Sequence, residues 1–216
     1  MARSRAPGTT VPRCGRPPFA AAHQDGQTGT MTHEIRTERL WLRGWREEDK
    51  LPYALLNADL EVMRHFPSTL SRQQSDEMVE TMVRAWDLRG YGLWAVERLD
   101  TQSFVGFIGL STPSWSEHQC VEVGWRLGRR HWGNGFAPEG ARAALAFAFE
   151  HVDLPGDEVV SFTTTKNLKS QRVMQKIGMR NDPTRDFDHP LLPDWEERRH
   201  VLYCIDRPLW RAGLTS

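Results

Sequence analysis

Cysteine is scarce: three in 216 residues, at positions 14, 120 and 204, with no C-x-x-C pair. That spacing argues against a disulfide framework and a cysteine-built zinc site, and it fits a reducing, cytoplasmic setting. No apolar run approaches the roughly 18–20 residues that cross a bilayer, the longest lying near Ala143–Phe149, so no membrane insertion is expected. Neither sign of charge dominates, with 28 basic side chains against 28 acidic. The first 30 residues hold four Arg and one Asp, so the rest of the chain carries a net −3. The basic face that nucleic-acid binding demands is therefore missing. Internal repeats are absent too.

Aromatic surface is plentiful, with nine Trp and nine Phe. A chain of this length buries a substantial core as one domain, without help from metals or disulfides. Residues 1–30 read differently: Pro, Gly, Thr and Ala with hardly a periodic apolar position, which predicts a disordered tail ahead of a domain over 31–216. The tail has no apolar core for a secretory signal; a transit peptide or an over-extended start both fit its Arg-rich character.

Beyond the tail the hydrophobic period changes repeatedly. Leu40–Trp45 alternates as a strand. Glu47-Glu48-Asp49 supplies the acidic first turn of a helix to about Asn57, and a short helix is expected at Leu60–Phe66. Ser71-x-x-Gln74 forms a capping box before a helix closed by Arg89-Gly90. Strands follow at Leu93–Glu97, Phe104–Leu110 and Val121–Leu127, then a glycine loop and a helix opening at Pro138. A strand at Val159–Thr164, a capped helix at Asn167–Ile177 and a strand at Val201–Ile205 complete a mixed α/β chain.

The chemistry concentrates after the strand at 121–127, in Trp132-Gly133-Asn134-Gly135-Phe136-Ala137. Glycines here permit positive φ and close approach, so consecutive N–H groups converge on an anion at a helix N-terminus. A ligand-free tight turn is the bland alternative. Walker A would need Lys-Ser/Thr after the second glycine, and a dinucleotide fingerprint would need a third glycine where Pro138 stands. A two-glycine loop without Lys suits a diphosphate arriving without catalytic magnesium, such as coenzyme A.

This stretch resembles the acetyl-CoA signature of the GNAT superfamily of N-acetyltransferases, [QR]-x-x-G-x-[GA]. The expected helix start aligns it on Trp132–Ala137, with Trp132 in place of Gln or Arg. Arg130-x-x-Gly133-x-Gly135 also matches by letter but falls two residues early for that helix. The Trp-Gly-x-Gly-Phe-Ala form resembles the RimJ/RimL-like branch. Asn167-x-x-Ser170-x-x-Val173-x-x-Lys176-x-Gly178-Met179 and Thr37-x-Arg39-Leu40-x-Leu42-Arg43 are similar to two further family segments, in the expected order.

The resemblance implies a mixed, mostly antiparallel twisted sheet flanked by helices, and direct acetyl transfer from acetyl-CoA to an amine, with no metal. The acceptor would be a small molecule or a protein N-terminus, and a homodimer is conceivable. It implies main-chain contacts to the pantetheine from Trp125, Arg126 and Leu127, a diphosphate cradle at 132–137, and a pantetheine hydrogen bond from Asn167. Glu122 is the first candidate for the base, since burial would raise its pKa; pairing with Arg126 or another basic residue is the structural alternative, and His189 or His200 the next candidates. Met174 stands where many relatives carry an acidic Tyr, which leaves Ser170, one turn earlier, as the candidate acid. Arg129 and Arg130 are candidates for a 3′-phosphate. Asp186, Asp188 and His189 are candidate acceptor contacts. A degenerate acyl-CoA sensor without turnover is the competing function.

Overall fold

A computed structural model describes residues 32–113 and 120–214. The expected tail at 1–30 lies outside the described residues. In chain order the elements are β1 (Ile35–Arg36), β2 (Leu40–Arg43), a 3-10 turn (Glu47–Asp49), α1 (Lys50–Ala58), α2 (Arg72–Arg89), β3 (Leu93–Arg98), β4 (Phe104–Ser111) and β5 (Glu122–Leu127). There follow α3 (Phe136–His151), β6 (Glu158–Thr164), α4 (Leu168–Lys176), β7 (Arg180–Asn181), β8 (Phe187–Asp188), β9 (Arg199–Asp206) and α5 (Arg207–Leu214).

Among the described residues the strands form one sheet in the order β1-β2-β3-β4-β5-β6-β9-β7, with β8 also on β9. Every pairing is antiparallel except β5 with β6. Period-two alternation gives the sheet two apolar faces. One packs Leu40, Leu42, Ile108, Leu110, Val121 and Val123 with α3 residues such as Ala144, Leu145 and Ala148 in the main core. The other carries a smaller cluster in which Tyr53, Val79 and Met82 of α1 and α2 pack with Phe107.

Local signals account for most boundaries. Ser71 Oγ accepts from the Gln74 N–H while Gln74 returns a bond to the Ser71 N–H, and Gly90 closes α2 in the left-handed region at φ 73°. Three expectations need correction. β2 stops at Arg43, whose side chain turns inward to Asp49, while the Trp45 indole donates to the Leu93 carbonyl. Residues 60–66 form isolated turns, not a helix: Asp59 Oδ1 takes the Glu61 N–H, and Pro67 follows before a second helical turn can form. The third is that α3 begins at Phe136, two residues ahead of Pro138. Gly135, at φ 80°, supplies the entry turn, and Phe136 is buried with the Arg39 and Arg98 guanidinium groups over its ring.

Candidate active site

The loop between β5 and α3 presents main-chain donors. Gly133 and Gly135 have φ of 78° and 80° and are exposed. Among the described residues no acceptor meets the N–H groups of residues 133–137, and Pro138 has none to offer. The sixteen-residue α3 adds the positive end of its dipole. A side chain at 133 would meet nothing within 4 Å, so the surface above the loop is open. The chemistry of this donor set fits a diphosphate.

The loop is braced from the other side. The Asn134 amide donates to the carbonyls of His131 and Trp132, and Arg39 Nη1 donates to the Asn134 carbonyl at 2.9 Å. Arg39 also pairs with Glu139 of α3, whose Oε1 accepts from Thr37 Oγ1 at 2.6 Å. The Trp132 indole donates to the Leu127 carbonyl at 2.8 Å and lies under the Lys169 ammonium, a packing role. Arg129 reaches Asp59 and Arg130 reaches His131, both from exposed positions.

β5 and β6 touch only where they begin. Glu122 pairs with Val160, the Val160 N–H donating to the Val121 carbonyl, and no further register joins the two strands. The edge of β5 that carries Trp125, Arg126 and Leu127 thus faces a cleft rather than a strand. Glu122 stands at the apex of that cleft, on the sheet face shared with α1 and α2. Desolvation pushes its pKa from 4.5 up to about 7, against the pull of the Ser111 hydroxyl, which donates to Oε2 at 3.0 Å. Among the described residues no ion pair joins it to Arg126 or to another basic side chain, which is the structural alternative; Arg126 Nη1 donates instead to Asn57 Oδ1 at 2.7 Å.

Across the cleft, Asn167 caps α4 by accepting from the Ser170 N–H and donates to Thr163 Oγ1 at 2.9 Å. Ser170 is half-buried, and no carbonyl of the preceding turn takes its hydroxyl. Met174, one turn on, is 1% exposed and belongs to the main core. The late segment is occupied with its own architecture. Asp186 Oδ1 accepts from the Leu202 N–H at 3.0 Å, and Asp188 pairs with Arg198 and Arg199. His189 and His200 lie 5.2 Å apart beside Phe187, with burial lowering both pKa values. His200 pairs with Thr164, four residues along β6 from Val160, or about 13 Å of strand from the Glu122 level.

A family model described as an acetyltransferase (GNAT) domain matches residues 39–180. The chain belongs to the GNAT acetyltransferases. It is 34% identical over 163 residues to the uncharacterized protein YkkB of Bacillus subtilis, covering 73% of this chain and 92% of that one. With the FsC-acetyl coenzyme A-N(2)-transacetylase of Aspergillus fumigatus it shares 32% identity over 187 residues, 82% of this chain and 77% of the other. A crystal structure of an acetyltransferase from Agrobacterium tumefaciens superposes with a TM-score of 0.68 at 24% identity, covering 85% of this chain and all of that one; this likeness concerns the fold. The protein is accordingly an acetyl-CoA-dependent acyltransferase.

Within this GNAT domain, the residues expected on the cofactor side fall on the unpaired edge of β5 (125–127), on the loop into α3 (132–137) and at the start of α4 (Asn167 and Ser170). Glu122 joins them at the apex. Asp186, Asp188 and His189 gather separately, around β8 and β9. Sequence reasoning missed Ser111, Asn57, Glu139 and the bracing role of Thr37 and Arg39. Thr37 and Arg39 sit in the Thr37-x-Arg39 motif and Glu139 is the acidic residue of the α3 first turn, so signals for these were present; Ser111 and Asn57 lie in segments with no distinguishing pattern.

Proposed function

We propose that this acyltransferase moves the acetyl group of acetyl-CoA to a primary amine, on a small molecule or a protein N-terminus, with Glu122 as general base. The observation that carries this reading is a carboxylate of pKa about 7 at the apex of the β5–β6 cleft, held by one hydroxyl and, among the described residues, no cation. Such a group is ionised often enough near neutrality to accept a proton and basic enough to drive its transfer. Glu122 takes the ammonium proton and passes it to solvent. As the freed amine nitrogen bonds to the acetyl carbon and the carbon–sulfur bond breaks, Glu122 accepts the second nitrogen proton and CoA leaves as its thiolate. The late-segment histidines are the weaker candidates, since His200 Nδ1 already meets the Arg198 carbonyl at 2.7 Å.

Main-chain N–H groups of residues 133–137 hold the diphosphate, and the open edge at Trp125, Arg126 and Leu127 holds the pantetheine, polarising the thioester carbonyl through a backbone N–H. With α3 opening at Phe136, the signature reads Arg130-x-x-Gly133-x-Gly135, both glycines at positive φ. Asn167 and Ser170 face this arm from α4. The Trp-Gly-x-Gly-Phe-Ala form carries the assignment to the RimJ/RimL-like branch.

Acetyl-CoA should raise the melting temperature, and Gly135→Val should abolish that rise. Valine at φ 80° is strained, and its Cβ would lie 3.4 Å from Arg39 Nη2. An unchanged thermal shift in the variant would remove the loop from the assignment. Release of CoA across an amine panel then separates enzyme from sensor: protection by acetyl-CoA without turnover of any amine would favour the sensor.

A further inference from the structure

Arg126 is 8% exposed, yet it meets no carboxylate among the described residues. Nη1 donates to Asn57 Oδ1, and Nε, fully buried, bonds to nothing. The Phe66 ring covers the guanidinium at 4.1 Å and Phe107 approaches at 5.6 Å. The Asn57 amide is itself anchored, donating to Ser75 Oγ at 3.2 Å. A neutral amide and two aromatic faces compensate a desolvated cation only in part. The edge of the guanidinium that bears Nε, the side from which a planar carboxylate takes two hydrogen bonds, is unclaimed.

The position of this group decides what it is for. Residues 122, 124 and 126 lie on one face of β5 by period two. Between Glu122 and Arg126 stands Gly124, where a side chain would meet only Glu122 Oε1, at 3.9 Å. The strand therefore offers a carboxylate, a gap and a cation in line, over about 13 Å between the outer Cα atoms. An amine delivered to Glu122 has the rest of its molecule over the gap, and its far end beside Arg126.

We propose that the acceptor amine carries a carboxylate and that the Arg126 side chain binds it, making Arg126 the residue that sets acceptor class. This rests on the reading of Glu122 as the base, and it selects amino acid-like acceptors over polyamines, whose second ammonium Arg126 repels. Binding supplies the anion that burial has left the guanidinium without. Phe66, 38% exposed and set among the isolated turns after α1, is the cover over the cation that such an acceptor contacts.

The test measures kcat/KM for CoA release with matched probes: β-alanine, γ-aminobutyrate and ε-aminocaproate, each against its own primary amide. In the native chain at least one acid should exceed its amide by about tenfold or more, the scale of a charge-assisted bidentate contact. Arg126→Met should bring that ratio to about one, and Arg126→Lys, which keeps charge but not the fork, should leave an intermediate value. The ratio is internal to each variant, so a loss of folded protein does not mimic the result; if Arg126→Met fails to fold, Arg126→Lys decides. Equal rates for acid and amide in the native chain, or a ratio that survives the variants, would overturn the proposal. Should no amine turn over, the reading of the enzyme fails on its own. Thermal stabilisation by the acids over the amides, measured in the presence of CoA, then upholds carboxylate binding if it depends on Arg126 and overturns it if absent.

Discussion

Two buried arginines on one face of the sheet make opposite use of their surroundings. Arg43, on the β2 side, is 3% exposed and fully engaged: Nη1 and Nη2 take both oxygens of Asp49 at 2.7 and 2.9 Å, and Nε takes Glu97 at 2.9 Å. Burial alone would lower its pKa, but the two carboxylates raise it. Arg126, on the β5 side, is nearly as buried and has one amide; burial lowers its pKa with only Tyr53 opposing. The same side chain is structural where its bonds close and available where they do not. Glu122 belongs with Arg126: a desolvated group whose environment stops short of neutralising it.

The largest expected effect falls on the open side. Glu122→Gln keeps the shape and removes the proton acceptor, so kcat should drop about 10²–10⁴-fold with acetyl-CoA protection retained. In the native chain kcat/KM should rise with pH and level off above about 7, because the base form is populated only above its pKa. That inflection should vanish in the variant. Near-normal kcat in Glu122→Gln, with loss in His189→Ala, would move the base to the late segment.

The closed side should answer in stability instead. Asp49→Ala strips Arg43 of its bidentate partner and leaves a buried cation half-paired, at a cost of about 3–5 kcal/mol. Turnover per folded molecule should hold, since Asp49 stands in another part of the face. Arg126→Met should show no such loss, because no ion pair is broken there. Equal destabilisation by the two changes would erase the distinction between the arginines.

Glu122 also links stability to pH. Its folded pKa is raised from 4.5 to about 7, so between those values the native state binds the proton more tightly than the unfolded chain. Stability therefore falls as pH rises from about 4.5 to 7, by at most about 3 kcal/mol and less for a side chain with some residual exposure. Urea midpoints compared at pH 5 and 8 should show Glu122→Gln selectively stabilised at pH 8. An unchanged difference between the two midpoints would show that the carboxylate is well solvated.

What the sequence disclosed divides along the same line. Elements with a local cause were legible: the Ser71 box, the Gly90 cap, the alternation of β4 and β5, the Asn167 cap. β1, β7 and β8, two residues each, are too short for any period to mark, and α5 opens with Pro208 as its second residue. The glycine loop showed itself because backbone geometry is written in glycine positions, and both Gly133 and Gly135 stand at positive φ. Arg126 did not, since its significance lies in what fails to surround it. The start of α3 went astray because Pro138 is a favoured first helical residue, while Gly135 can open the turn three residues sooner.

The smallest effect concerns the leaving group. Met174 is core, so the proton for the departing thiolate must come from another source or from none. Ser170 lies one turn earlier on the same helical face, half-buried, with its hydroxyl uncommitted to the preceding carbonyls. Ser170→Ala removes a weak donor while the Asn167 cap, which uses the Ser170 main-chain N–H, stays intact. A thiolate leaves readily, so kcat should fall by less than about tenfold, and Ser170→Cys should recover little of it. The split between kcat and KM reads the role: a fall in kcat at constant KM assigns the hydroxyl to the transition state, whereas a raised KM at constant kcat makes it an ordinary contact to the bound arm. A loss as large as that of Glu122→Gln would overturn the view that the open side acts mainly through its base.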